Sequence, residues 1–115
     1  MPGPTALVAD DEPLLRERLV SLLATLWPQL QVVAQARNGR EAIELFERER
    51  PQVAFLDVHM PGLSGVEAGR QMVGRAELVF VTAYDRYAVE AFAQGAVDYL
   101  VKPVEPQRLA ETVQR

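Results

Sequence analysis

Three aspartates, a threonine and a lysine are the side chains of this sequence best suited to chemistry: Asp10, Asp11, Asp57, Thr82 and Lys102. Carboxylates gathered at short range raise one another's pKa and destabilise a fold, and a divalent cation relieves both effects. Mg2+ takes a few carboxylates, waters and phosphate oxygens as its ligands. A carboxylate can also attack phosphorus to give an acyl phosphate, provided that positive charge holds the phosphoryl oxygens. Asp57 is the candidate nucleophile, Thr82 a donor to a phosphoryl oxygen, and Lys102 a cation for its charge. Each residue also has a plainer reading. Asp10 and Asp11 could cap a helix, Asp57 could serve the turn before Pro61-Gly62, Thr82 could be ordinary strand, and Lys102 could be a solvated surface group. Capping explains one aspartate well, but not two with a third across a sheet. His59, the one histidine, is open between metal ligand, general base and exposed loop residue, the last being favoured.

What joins these residues is where they fall. Ala6-Leu7-Val8-Ala9 is an apolar run that ends at Asp10; the runs 53–56, 78–81 and 97–101 end at Asp57, Thr82 and Lys102. Val32-Val33-Ala34 reads as a further strand. Strands that are apolar throughout belong to a parallel sheet covered on both faces. Between them, Leu15, Leu19, Leu22, Leu23 and Leu26 recur at helical spacing behind Pro13. Ala42, Ile43, Leu45 and Phe46 mark a second helix, after Asn38-Gly39 and before Pro51. Ser64 and Glu67 have capping-box spacing for a third. Tyr87, Ala88, Ala91 and Phe92 suggest a fourth helix, and a closing fifth starts near Glu105. The carboxyl ends of strands in such a sheet share one edge, where ligands bind. Residues far apart in the chain are thereby expected in one pocket.

The 115 residues make one domain, 1–115, with ordinary globular composition. There is no cysteine, hence no disulfide framework and no thiolate metal site. The net charge of −4 is a poor basis for binding nucleic acid directly, which needs clustered Lys and Arg. The longest apolar stretch, 19–27, is too short to span a bilayer, and the N-terminus has no signal-peptide pattern, so a cytoplasmic setting is expected. Trp27 and the leucine stripe are expected in the core, and the closing helix is expected to be cut short.

Four motifs carry a resemblance. Val8-Ala9-Asp10-Asp11-Glu12-Pro13, Asp57-Val58-His59-Met60-Pro61-Gly62, Thr82-Ala83, and Tyr99 ahead of Lys102-Pro103 resemble, in this order, the receiver domains of two-component response regulators. The resemblance covers nearly the whole chain, but the segment between Gly62 and Leu78 is slightly short for the family, so the third helix is expected to be truncated or irregular. It implies a flavodoxin-like doubly wound sheet with strand order 2-1-3-4-5. It implies Asp57 as phosphoacceptor, with Asp11, Asp57 and the backbone carbonyl of His59 on Mg2+ and Asp10 assisting. It further implies that Thr82 and Lys102 hold the acyl phosphate, that Tyr99 is a rotameric switch turning from exposed to buried, and that the Lys102-Pro103 bond is cis. A sensor histidine kinase would be the phosphoryl donor, and phosphorylation would favour a homodimer through the face of the fourth helix, fifth strand and fifth helix. The stretch from Phe80 to Leu100 is similar to receivers that precede a LytTR-type DNA-binding domain, so DNA contact would belong to an output domain absent from this sequence.

Three other readings compete. An aspartate-dependent phosphatase would carry its nucleophile after the first strand in an Asp-x-Asp arrangement, whereas this chain has Asp10-Asp11-Glu12 there. A flavin-binding module would want a hydroxyl- and glycine-rich loop in the same place. A receiver that has lost phosphorylation is disfavoured by the full acidic set.

Overall fold

The computed structural model describes residues 3–83, 95–96 and 98–114. Its elements, in chain order, are β1 (Thr5–Ala9), α1 (Pro13–Leu26), β2 (Gln31–Ala36), α2 (Gly39–Glu49), β3 (Val53–Asp57), α3 (Gly65–Arg70), β4 (Glu77–Thr82), β5 (Asp98–Val101) and a closing helix, Pro106–Val113. The strands form one sheet in the order β2-β1-β3-β4-β5, and every pairing is parallel. This is the doubly wound order expected. The fourth helix anticipated around Tyr87 and Phe92 lies outside the described residues, as does Val97.

Strand alternation explains how both faces are covered. Successive side chains point to opposite sides of a strand. Ala6, Val8, Phe55, Val79 and Val81 therefore share one face with Leu19 and Leu23 of α1 and Leu109 of the closing helix. Leu7, Ala9, Leu56, Leu78 and Phe80 share the other with Phe46 of α2 and Met72. Phe46, Phe55 and Phe80 are almost wholly buried, and each contributes roughly 1.5–3 kcal/mol of burial energy. The expectation of a core stripe in α1 holds for Leu19 and Leu23; Leu22, Leu26 and Trp27 are only partly buried against it.

Local signals set the helix ends. Pro13 opens α1, where its missing N–H costs nothing. Asn38, read from sequence as a break, is the cap of α2: its side chain accepts from the Glu41 N–H at 2.8 Å. Ser64 and Glu67 form the anticipated capping box on α3, with both bonds at 3.1 Å. That helix has six residues, short as expected. The closing helix rests on β5 through a buried carboxylate. Asp98 accepts from Arg108 and from the Thr112 hydroxyl, with its closest contacts at 2.7 Å.

Candidate functional site

The strand order places Asp10, Asp57, Thr82 and Lys102 side by side along the carboxyl edge of the sheet. Asp10 follows β1, and its N–H still pairs with the Ala36 carbonyl of β2 at 3.0 Å. Asp57 is the last residue of β3, and the next N–H, that of Val58, reaches the Val81 carbonyl of β4 at 2.8 Å. Thr82 ends β4, and its carbonyl accepts from the Lys102 N–H at 2.7 Å. Three of the four ladders thus carry their hydrogen bonds on to the edge, the β1–β2 pairing after a register shift between Ala6 and Leu7. The helix that follows β3 is pressed against it. A Cβ on Gly65 would stand 1.9 Å from the Asp57 carbonyl oxygen, so only glycine allows this approach. Gly62, at φ 75°, supplies the left-handed turn between them.

Lys102 is the centre of the site. Its Nζ lies 3.2 Å from an oxygen of Asp10, 3.2 Å from Asp57 and 3.2 Å from Glu12. Asp10, Asp11, Glu12 and Asp57 each offer a carboxylate oxygen, and these oxygens lie within 4.8 Å of one another. Asp10 and Asp57 are buried, while Asp11 and Glu12 are exposed at the rim. The capping reading of the aspartates fails in its simple form. Glu12 occupies the cap position of α1 without a side-chain capping bond, and Asp10 instead accepts from the Glu12 N–H at 2.9 Å, folding the loop.

Charge is unbalanced here. Burial, and then the neighbouring Asp10, push the Asp57 carboxyl up to about 7, although Lys102 pulls the other way. Burial works against the Lys102 ammonium, but Asp57 and Asp10 hold it above its ordinary value. One ammonium shared among several acids leaves Asp57 short of counter-charge. A cluster of hard carboxylate oxygens with a surplus of negative charge suits a divalent cation of the Mg2+ type.

The remaining candidates are placed as follows. His59 is exposed, two residues beyond Asp57. Thr82 is buried. Tyr99 pairs with Phe80 across β4 and β5 and is partly buried against the core on that face, intermediate between the two extremes the resemblance implied. The Lys102-Pro103 bond is cis, as expected. Sequence reasoning singled out Asp10 and Asp11 but not Glu12 as a site residue; the signal was its place as a third consecutive acid after β1. It also missed Asp98, because one acid opening a strand gives no hint that Arg108 and Thr112 of a later helix will meet it.

Over residues 6–114 the chain matches the response regulator receiver domain. The chain belongs to that family. A receiver domain is a signalling switch rather than a conventional enzyme. Among its relatives is the transcriptional regulatory protein BtsR of Salmonella typhimurium, 44% identical over 115 residues, which cover 95% of this chain and 46% of the relative. Another is the positive alginate biosynthesis regulatory protein of Pseudomonas aeruginosa, 41% identical over 112 residues, covering 95% of this chain and 45% of that protein. The receiver therefore spans less than half the length of these curated relatives. Among solved structures, the receiver domain of AraT, a response regulator from Geobacillus stearothermophilus, is 36% identical with a TM-score of 0.88, covering 96% of this chain and 90% of that one. Among the described residues, no helix of the receiver is long and apolar enough to cross a membrane.

Proposed function

We propose that this receiver accepts a phosphoryl group on Asp57 from a phosphohistidine of a sensor histidine kinase. The observation that carries the reading is the contact of Lys102 Nζ with Asp57 and Asp10, 3.2 Å each, inside a cluster of four acids. An Asp57 carboxylate oxygen attacks phosphorus; the O–P bond forms, the P–N bond breaks, and the imidazole leaves with the electron pair. Asp11, Asp57 and the His59 carbonyl would hold Mg2+, with Asp10 assisting. When bound, the cation would supply positive charge that favours the ionised form of Asp57 and offsets the charge of the phosphoryl oxygens. Lys102 then pairs with the phosphoryl group, and Thr82 donates its hydroxyl to it.

The switch follows from Thr82. Its movement toward the phosphoryl group vacates space, and Tyr99 turns inward. The surface of the fourth predicted helix, β5 and the closing helix changes, and self-association through it is favoured. A cytoplasmic setting and a LytTR-type DNA-binding output domain beyond this sequence are part of the same reading. BtsR and the alginate regulator are named as regulators, and this receiver spans under half of each.

The deciding experiment is intact mass after incubation with acetyl phosphate or phosphoramidate and Mg2+. One phosphoryl group should be gained by the wild type and none by Asp57→Asn. Equal labelling of both would reject Asp57; equal labelling in excess chelator would reject the cation.

A further inference from the structure

The closing helix and β5 are joined by a charged network that the acidic edge does not use. Asp98 is fully buried, at 0% exposure. Its carboxylate accepts from both terminal nitrogens of Arg108, at 2.7 and 2.9 Å, and from the Thr112 hydroxyl at 2.7 Å. The Tyr99 N–H donates to it at 2.8 Å. Arg108 also donates to the Thr112 hydroxyl at 3.2 Å and to the Tyr99 carbonyl at 2.9 Å. So many acceptors leave the guanidinium one place to sit. There, its carbon stands 5.7 Å from the centroid of the Tyr99 ring.

A cation over an aromatic face attracts it. A ring that turns away from a fixed cation gives up that attraction. A ring that stays helps to hold the cation, and with it the helix that bears it. The orientation of Tyr99 and the position of the closing helix on β5 are therefore linked through one side chain. Lysine could supply the charge but neither the planar fork nor the stacking face.

We propose that Arg108 is a positioning residue for Tyr99: Asp98 and Thr112 hold its guanidinium against the ring, so that ring and closing helix change position together. The role assigned to that movement rests on the reading of Tyr99 as the moving element of the switch. The competing account makes Arg108 a staple that fastens the helix and leaves the ring indifferent.

The test is 19F NMR of the chain labelled with 3-fluorotyrosine. The sequence has three tyrosines, and the Tyr99 signal is identified by its loss in Tyr99→Phe. Three proteins are compared: wild type, Arg108→Lys, and the double variant Asp98→Asn with Arg108→Gln. The double variant removes both charges together, so no unpaired ion stays buried and folding is protected. Unliganded, the Tyr99 ring populations should shift by about two- to fivefold in the double variant, the weight of one exposed cation–π contact. Arg108→Lys should restore only part of the wild-type signal. Labelling of Asp57 by acetyl phosphate should persist in all three. An unliganded Tyr99 signal identical in wild type and double variant would overturn the proposal and leave the staple account. Addition of Mg2+ and beryllofluoride to the wild type judges the switch separately. If Tyr99 does not respond there, the switch reading fails, while the Arg108 assignment is still decided by the unliganded spectra.

Discussion

Replacing Asp57 by asparagine should stabilise the metal-free receiver, and only in part of the pH range. Burial and Asp10 push this carboxyl from its ordinary 3.8 up to about 7. A carboxyl with a higher pKa folded than unfolded holds more protons in the folded state. Stability therefore falls as pH rises from about 4 to about 7, and stays flat above. The gap between the two values corresponds to roughly 4 kcal/mol. The side chain is only 4% exposed, so solvent screens little of it. The variant also gives up the 3.2 Å contact with Lys102, which offsets part of the gain. About 2 kcal/mol should remain near pH 8, or roughly 6–10 °C in Tm for a domain of this size. Near pH 4 the advantage should almost vanish. Calorimetry of both proteins in chelator, at intervals between these values, is the assay. A difference that does not change with pH, or a variant less stable than wild type near pH 8, would refute the crowding of charge around Asp57.

Mg2+ should raise the Tm of the wild type, by about 2.7 kcal/mol of stability at a hundredfold excess over its Kd, and Asp11→Ala should lose most of that gain in the same titration. Asp98 behaves oppositely to Asp57: burial opposes its ionisation, but bonds from Arg108, Thr112 and the Tyr99 N–H hold its pKa down at about 2. It contributes about 2 kcal/mol above about pH 4, lost as pH falls toward 2, so Asp98→Asn should lower urea stability at neutral pH and not in strong acid. Gly65→Ala should unfold more readily and label slowly at Asp57, because the added Cβ meets the Asp57 carbonyl oxygen at 1.9 Å; normal stability by calorimetry would contradict this. In sedimentation velocity, beryllofluoride should favour self-association of wild type but not of Thr82→Ala, and identical responses would exclude coupling through Thr82.

Most of the sheet could be read from the chain because its signals are local. Four apolar runs each end on a polar residue of chemical interest, and that edge is where Asp10, Asp57, Thr82 and Lys102 stand together. Helix ends were legible where one side chain decides them, as at Pro13 and Ser64. At Asn38 the break after β2 was legible, but not that its side chain would cap α2. What stayed hidden depends on distant partners. Nothing near Glu12 announces that Lys102 will reach it, ninety residues along the chain. Nothing near Asp98 announces an arginine ten residues later, bidentate on a carboxylate with no exposure. Such pairs are set by how helices settle on the sheet, and hydrophobic periodicity fixes only which face they settle on.

The parallel order of the strands also decides when the site comes into being. Each pair of neighbours in this sheet is separated by a crossover, so none can zip up from a hairpin. Asp10 follows β1 and Lys102 follows β5. A chain still being synthesised carries its acids without the ammonium that gathers them, and a chain broken before β5 never acquires it. The acidic edge is thus complete only once β5 has joined the sheet, so the site is a property of the assembled sheet and of no shorter segment.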